Sequence, residues 1–183
     1  MKTTFEKVTA LNLAFGNAKG DLNNPNVKAI RKQAMLCLEE AIEMVEAAYP
    51  GKRVTWDWHP DYNGEAGVDL VALMDAQGDL TTVNDGVAHV AGFNGNDCYD
   101  LVHESNMSKF ISSEDDKIKA LAYYYDQGFQ PDDLYLHGEY PTMCIKVKRD
   151  IKLNGKFYPE GKFLKNMVTF TEPDFSQLLP NQA

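Results

Sequence analysis

The chain has 183 residues, 18 Lys and Arg against 27 Asp and Glu, and a formal net charge of −9. Apolar residues make up 44% and charged residues 25%, which excludes wholesale disorder, and the length suits one domain of ordinary size. The acidic balance speaks against a general nucleic-acid binder, which presents a basic face, but it admits a phosphate-bearing small molecule bridged to the protein by a divalent metal. No apolar run approaches about 18–20 residues, so no membrane-spanning helix is expected. The start, Met1-Lys2-Thr3-Thr4-Phe5-Glu6, lacks the apolar stretch of a signal peptide and predicts a cytoplasmic chain. Cys37, Cys98 and Cys144 are odd in number and form no C-x-x-C pair, which predicts three partly buried free thiols rather than a zinc site or a disulfide framework.

Thr3 and Glu6 fit a capping box ahead of an apolar stripe of Phe5, Val8, Leu11 and Phe15, with Gly16 as the stop. A polar turn from Asn17 to Asn24 follows. A second helix is expected with Asn24 as N-cap and Pro25 at its first position, carrying Val27, Ile30, Ala34, Cys37/Leu38, Ala41 and Val45 at helical steps until Pro50-Gly51. Residues 52–64 read as a loop that holds both tryptophans, Trp56 and Trp58. A long helix is expected from Glu65 to Ala91, closed by Gly92. Its interior Gly78 and Gly86 cost up to about 1 kcal/mol each relative to Ala and suggest close approach of another backbone. A fourth helix runs from Asn96, as cap, to Met107.

Ser113 to Asp116 reads as a cap for one short amphipathic helix with Ile118, Leu121, Ala122 and Tyr125 on its apolar side. Gly128 to Met143 reads as irregular. From Cys144 the pattern alternates through Ile145, Val147, Ile151 and Leu153 to an Asn154-Gly155 turn, a strong hairpin signal. The expected plan is mainly α, a helical body with a small β-containing tail.

Acidic residues concentrate on two of these helices. Glu39, Glu43 and Glu46 fall within about 60° of one another, opposite the apolar stripe, with Glu40 on the flank. Taken alone this is an ordinary solvated acidic face. On the long helix Asp75, Asp79, Thr82 and Gly86 share one stripe beside Ala76, Leu80, Val83, Val87 and Val90, and Asp69 lies upstream. Carboxylates beside an apolar face repel unless a cation or partner neutralises them. The segment from Val54 to Val102 contains no Lys or Arg. Two helices presenting carboxylates without local counter-charge suit Mg²⁺, which takes hard oxygen ligands and often completes its shell with a substrate phosphate. The segment His103-Glu104-Ser105-Asn106-Met107-Ser108-Lys109 adds donors suited to phosphate oxygens.

The chain resembles the MazG-like and phosphoribosyl-ATP pyrophosphohydrolase-like branch of the all-α nucleoside triphosphate pyrophosphatases. The matching residues are Phe15-Gly16, the Glu39-Glu40-x-x-Glu43 cluster, the Asp75…Asp79…Gly86…Gly92 helix and, most specifically, Ser105-Asn106-Met107-Ser108-Lys109. The likeness covers Val8 to Phe110 and resumes from Gly161 to Asp174. It implies an all-α NTP pyrophosphatase-like four-helix core with a small C-terminal β-hairpin extension. Residues 1–110 would form the helical catalytic core, 111–143 an insertion with a short helix, and 144–183 a β-containing tail packed on the core. Family members carry E-x-x-E on one helix and E-x-x-D on the next. Here Glu40 and Glu43 fit the first motif, while the second reads Asp75-x-x-x-Asp79, which is shorter in side chain and different in rotation.

The resemblance implies hydrolysis of a (d)NTP between the α and β phosphates, giving (d)NMP and pyrophosphate. The metal would be Mg²⁺, or Mn²⁺, on Glu40, Glu43, Asp79 and Asp75, with Glu39 orienting or deprotonating the attacking water. Asn106 and Lys109 would hold phosphate oxygens, helped by Lys162 or Lys165. Aromatic residues stack well on bases, so Trp56, Trp58 or Tyr62 would either stack on the base or cap the core under the long loop, and Asn17 on the first turn would read a base edge. Four main helices with polar residues inside do not enclose a site alone, so a homodimer or homotetramer is expected, with neither nucleic acid nor membrane as partner. Two rivals are a non-catalytic acidic helical interaction module and a di-metal (di-iron) carboxylate bundle. The bundle needs two Glu-x-x-His motifs, and this chain offers only Asp100-x-x-His103 and a misspaced Asp85…His89, with His89 expected near the apolar face.

Overall fold

The computed structural model describes residues 3–21, 24, 26–48, 70–91 and 93–179. Pro50-Gly51, the expected loop of 52–64 with Trp56, Trp58 and Tyr62, residues 65–69 and Gly92 lie outside them. The described chain is mainly helical, with five α-helices and a small antiparallel β region. It divides into two compact units, Gly20–Val83 and Met1–Lys19 with Asn84–Ala183.

The smaller unit holds α2 (Val27–Ala48) and most of α3 (Leu70–Ala91). Asn26, not Asn24, caps α2: its Oδ1 accepts the Ala29 N–H at 3.0 Å, so the helix starts later than the Asn24-Pro25 signal predicts. The stripe on α2 is only partly covered. Val27, Ile30, Leu38 and Ala41 are half-buried, whereas Met35, Leu36, Met44 and Val45 are exposed. On α3 the expected apolar face is open at Ala76 and Leu80, and Val71, Leu73 and Met74 are exposed too. Gly78 makes no close approach among the described residues, since a Cβ there would meet none of them within 4 Å. The Thr82 hydroxyl turns back onto the Gly78 carbonyl at 3.0 Å.

The larger unit begins with α1 (Thr4–Ala14), whose capping box forms as predicted: Glu6 N–H donates to Thr3 Oγ1 at 3.3 Å and Thr3 N–H to Glu6 Oε2 at 2.8 Å. The helix stops at Gly16, with φ of +85°. It packs on α4 (Gly95–Met107), capped by Asn94, whose Oδ1 accepts from Asn96 N–H at 3.0 Å. Ser113 caps α5 (Glu114–Asp126) by accepting from Asp116 N–H at 3.2 Å. The buried side of α5 is Ala120 and Tyr124, rotated from the expected one; Ile118, Ala122 and Tyr125 are exposed and Leu121 is half-buried.

Gly128 to Met143, expected to be irregular, instead contains a 3-10 turn, Pro131–Asp133, and strand β1 (Leu134–His137). β1 pairs antiparallel with β2 (Cys144–Val147), which pairs antiparallel with β5 (Phe163–Leu164); Leu134 faces Val147 and Ile145 faces Leu164. The strand is four residues long, and its partners, not its own pattern, define it. The predicted hairpin forms from β3 (Ile151–Leu153) and β4 (Lys156–Tyr158), with Asn154 at φ +49° and Gly155 at φ +80°. Positive φ at both central residues is the geometry that makes Asn-Gly the preferred tight turn.

Ile111, Ala120, Tyr124, Phe129, Leu134, Ile145, Val147 and Leu164 form one hydrophobic cluster. Residues on both sides of the Met143–Cys144 junction therefore share a sheet and a core. Beside it Phe15, Phe110 and Phe163 meet with ring centroids 5.0 to 5.6 Å apart, which joins the end of α1, the segment after α4, and β5.

Candidate functional site

Glu39, Glu40 and Glu43 lie on α2, and Asp75 and Asp79 on α3, all five exposed. Glu39 and Glu43 border a shallow depression of about 630 Å³, lined among the described residues by Lys32, Met35, Leu36, Leu38 and Ile42 as well. The carboxylates thus sit next to apolar surface on the same helix. Their oxygen chemistry fits a hard divalent cation. Their placement does not gather it: among the described residues no three His, Cys, Asp or Glu side chains are grouped to hold a metal ion.

The end of α4 is more fully built. Ser105 is buried, and Ser108 closes the helix with its hydroxyl donating to the Ser105 carbonyl at 2.7 Å. The tail then clamps this turn. Asn166, 1% exposed, donates its main-chain N–H to the Lys109 carbonyl at 2.9 Å and its side-chain amide to the Phe110 carbonyl at 3.2 Å. The Thr169 hydroxyl reaches the Ser108 carbonyl at 2.8 Å, and the Thr171 N–H reaches Ser108 Oγ at 3.0 Å. Buried main-chain groups need such partners, so the clamp fixes the position of the tail.

Two ammoniums result. Lys109 Nζ donates to Asn106 Oδ1 and lies 5.8 Å from the centre of the Phe170 ring, and Lys165 Nζ lies 4.0 Å from the same centre. Burial lowers the Lys109 pKa from its ordinary value, and the charge of Lys165 lowers it further. Neither lysine has a carboxylate partner among the described residues, whereas Lys117, Lys119 and Arg149 are paired with Glu114, Asp115 and Asp133. Lys162 is exposed immediately before β5, and the shared ring of Phe170 engages Lys109 and Lys165. The sequence names Lys165 only as a helper and gives no sign of Phe170; a cation and an aromatic five residues apart in a tail carry no periodic signal.

Phe15-Gly16 has a packing role. Lys146 Nζ donates to the Phe15 carbonyl at 2.8 Å, and a Cβ on Gly16 would lie 2.7 Å from His137 Nε2. Asn17, expected to read a base edge, donates its side-chain amide to Asn12 Oδ1 at 3.0 Å. The residues of the di-iron rival are also engaged or misplaced. Asp100 is ion-paired with Lys7, and His89 is exposed rather than set in a core. Tyr99 stacks on His103 at 6.0 Å, and the Tyr99 hydroxyl and His103 Nδ1 are buried without a hydrogen-bond partner among the described residues.

The three thiols are free: Cys37 is exposed, Cys98 half-buried and Cys144 buried. No described helix is long and apolar enough to cross a membrane. No family model, curated protein or solved structure matches the chain.

Proposed function

We propose that the chain is a Mg²⁺-dependent nucleoside triphosphate pyrophosphohydrolase of the all-α type, converting a (d)NTP to (d)NMP and pyrophosphate. The observation that carries this reading is the braced end of α4. There Asn106, Lys109 and Lys165 offer cationic and amide donors without a carboxylate partner, in a chain of net charge −9. Such donors suit phosphate oxygens, which accept charge-assisted hydrogen bonds. Further support comes from the resemblance of the Ser105–Lys109 string to the family, and from the carboxylates of α3, which lie in a segment, Val54 to Val102, without Lys or Arg.

In this reading Glu40, Glu43 and Asp79 hold the metal, joined by Asp75. When bound, Mg²⁺ neutralises phosphate charge and acidifies a coordinated water. Glu39 orients or deprotonates the attacking water, while Asn106 and Lys109 hold the phosphate oxygens. The acids are completed by a second copy of the chain, as a homodimer or homotetramer, whose helices cover the exposed apolar residues of α2 and α3. A panel of canonical and modified (d)NTPs with Mg²⁺ or Mn²⁺, assayed for pyrophosphate, tests this. Pyrophosphate release that chelation abolishes supports it; release of orthophosphate, or of nothing, refutes it.

The exposed apolar side chains of α2 and α3 also favour a second reading, a non-catalytic acidic helical interaction module. Glu43→Gln and Asp79→Asn variants that keep full biological activity would select that reading.

A further inference from the structure

We propose that Lys165 is the second cation of an anion seat, acting beside Lys109 across the Phe170 ring, and that the seat takes the pyrophosphate portion of a ligand without needing a metal. The naming of pyrophosphate rests on the hydrolase reading; the seat itself rests on geometry.

Both lysines are held by their main chains, and those main chains are fixed from inside. The buried Tyr124 hydroxyl donates to the Lys165 carbonyl at 2.6 Å, and the next residue, Asn166, donates to the Lys109 carbonyl at 2.9 Å. Lys109 and Lys165 are therefore adjacent because of hydrogen bonds that their side chains do not make. The two ammoniums sit 5.8 and 4.0 Å from one ring centre, so their separation cannot exceed the sum of those distances. A ring face attracts a cation while leaving its outer N–H groups unspent. Lys165 has no oxygen acceptor among the described residues, and Lys109 has one, Asn106 Oδ1, which leaves the Asn106 NH₂ group to donate elsewhere. Like charges brought together by buried hydrogen bonds repel until an anion lies between them. A diphosphate spans two ammoniums and an amide better than a single phosphate does, because it supplies oxygens on two phosphorus centres.

The test uses the full-length chain in EDTA at low ionic strength, titrated calorimetrically with inorganic pyrophosphate and with inorganic phosphate. Wild type is expected to bind pyrophosphate more tightly than phosphate. Lys165→Met should weaken pyrophosphate binding about tenfold or more, the scale of one charged hydrogen bond. Lys165→Arg should stay close to wild type, and Lys152→Met, on the β3–β4 hairpin, should be unchanged. Thermal unfolding of each variant separates a lost contact from a lost fold, and the Arg variant keeps the test usable if Met unfolds the tail. Equal binding by Lys165→Met and wild type, an equal loss in Lys152→Met, or no pyrophosphate binding by wild type overturns the proposal. Binding is read without turnover, so pyrophosphate bound by a protein that hydrolyses no nucleotide defeats the hydrolase reading and leaves the seat standing. Nucleotide hydrolysis by a protein whose pyrophosphate binding Lys165→Met leaves unchanged does the reverse.

Discussion

The Lys146 ammonium on β2 donates a hydrogen bond of 2.8 Å to the main-chain carbonyl of Phe15, the residue that closes α1. The last carbonyls of a helix lack intrahelical partners and carry the negative end of its dipole, so a lysine there satisfies both needs. α1 is tied to the sheet through this bond and through Gly16, whose φ of +85° turns the chain beside His137. Gly16→Ala is expected to lower stability by about 2 kcal/mol or more, from the left-handed backbone and the contact with His137. Lys146→Met should cost about 1 kcal/mol. Urea unfolding of both variants measures these losses.

Tyr124 gives a pH signature. Burial, with Tyr123 and Tyr158 nearby, holds its phenol well above the ordinary tyrosine value. The folded state therefore keeps this proton after the unfolded chain releases its own at about pH 10. The stability it contributes is complete below about pH 10 and is lost as pH rises above that value. Tyr124→Phe should flatten this alkaline slope. At neutral pH it should cost about 1–3 kcal/mol, because the Lys165 carbonyl loses its donor. Unfolding midpoints across the alkaline range check both parts.

Glu43→Gln and Asp79→Asn are each expected to lower pyrophosphate release about 100-fold or more. Removing even an outer partner of a metal ligand costs 10- to 100-fold, and here a ligand itself is removed. Because both side chains are exposed, the fold should survive, with unchanged circular dichroism. Unaltered turnover in both variants would remove these acids from the mechanism.

Leu36 is 41% exposed on α2, and Met74 is 55% exposed on α3. If a second copy covers these faces, sedimentation of the wild type gives a particle heavier than the 20.5 kDa chain. Leu36→Lys should shift it toward monomer and lower its activity in parallel, since a charge buried in an apolar interface is costly. A monomeric wild type with full turnover would contradict the expectation.

Thiol reactivity should follow burial. Cys37 is exposed and should react with an aromatic disulfide reagent at once. Cys144 is fully buried, and burial raises its thiol pKa, so it should react only after unfolding. Cys98 should fall between them. Timed absorbance with and without denaturant gives the three rates.

The local signals read well from sequence. The Thr3–Glu6 box, the Ser113 cap and the Asn154-Gly155 turn are each decided by a few adjacent residues, and each forms. Signals that depend on distant partners read poorly. β1 is a strand because Cys144–Val147 lies beside it, and the buried side of α5 is the one that reaches the sheet. The cap of α2 moves from Asn24 to Asn26 because two cap-forming residues compete a few positions apart. At the candidate site, the string Ser105–Lys109 is visible in sequence. Its clamp is not, because Asn166, Thr169 and Phe170 act through main-chain bonds and one shared ring. Asp75 and Asp79 share a helical stripe by arithmetic alone, and arithmetic does not say what faces it.

The contact of Phe15 with Phe163 has a consequence for biosynthesis. A ribosome releases Phe163 148 residues after Phe15, so α1 emerges long before the strand that packs against its final turn exists. The aromatic trio cannot close until Phe163 has emerged, and until then a nascent chain carries Phe15 without its edge-on partner from β5.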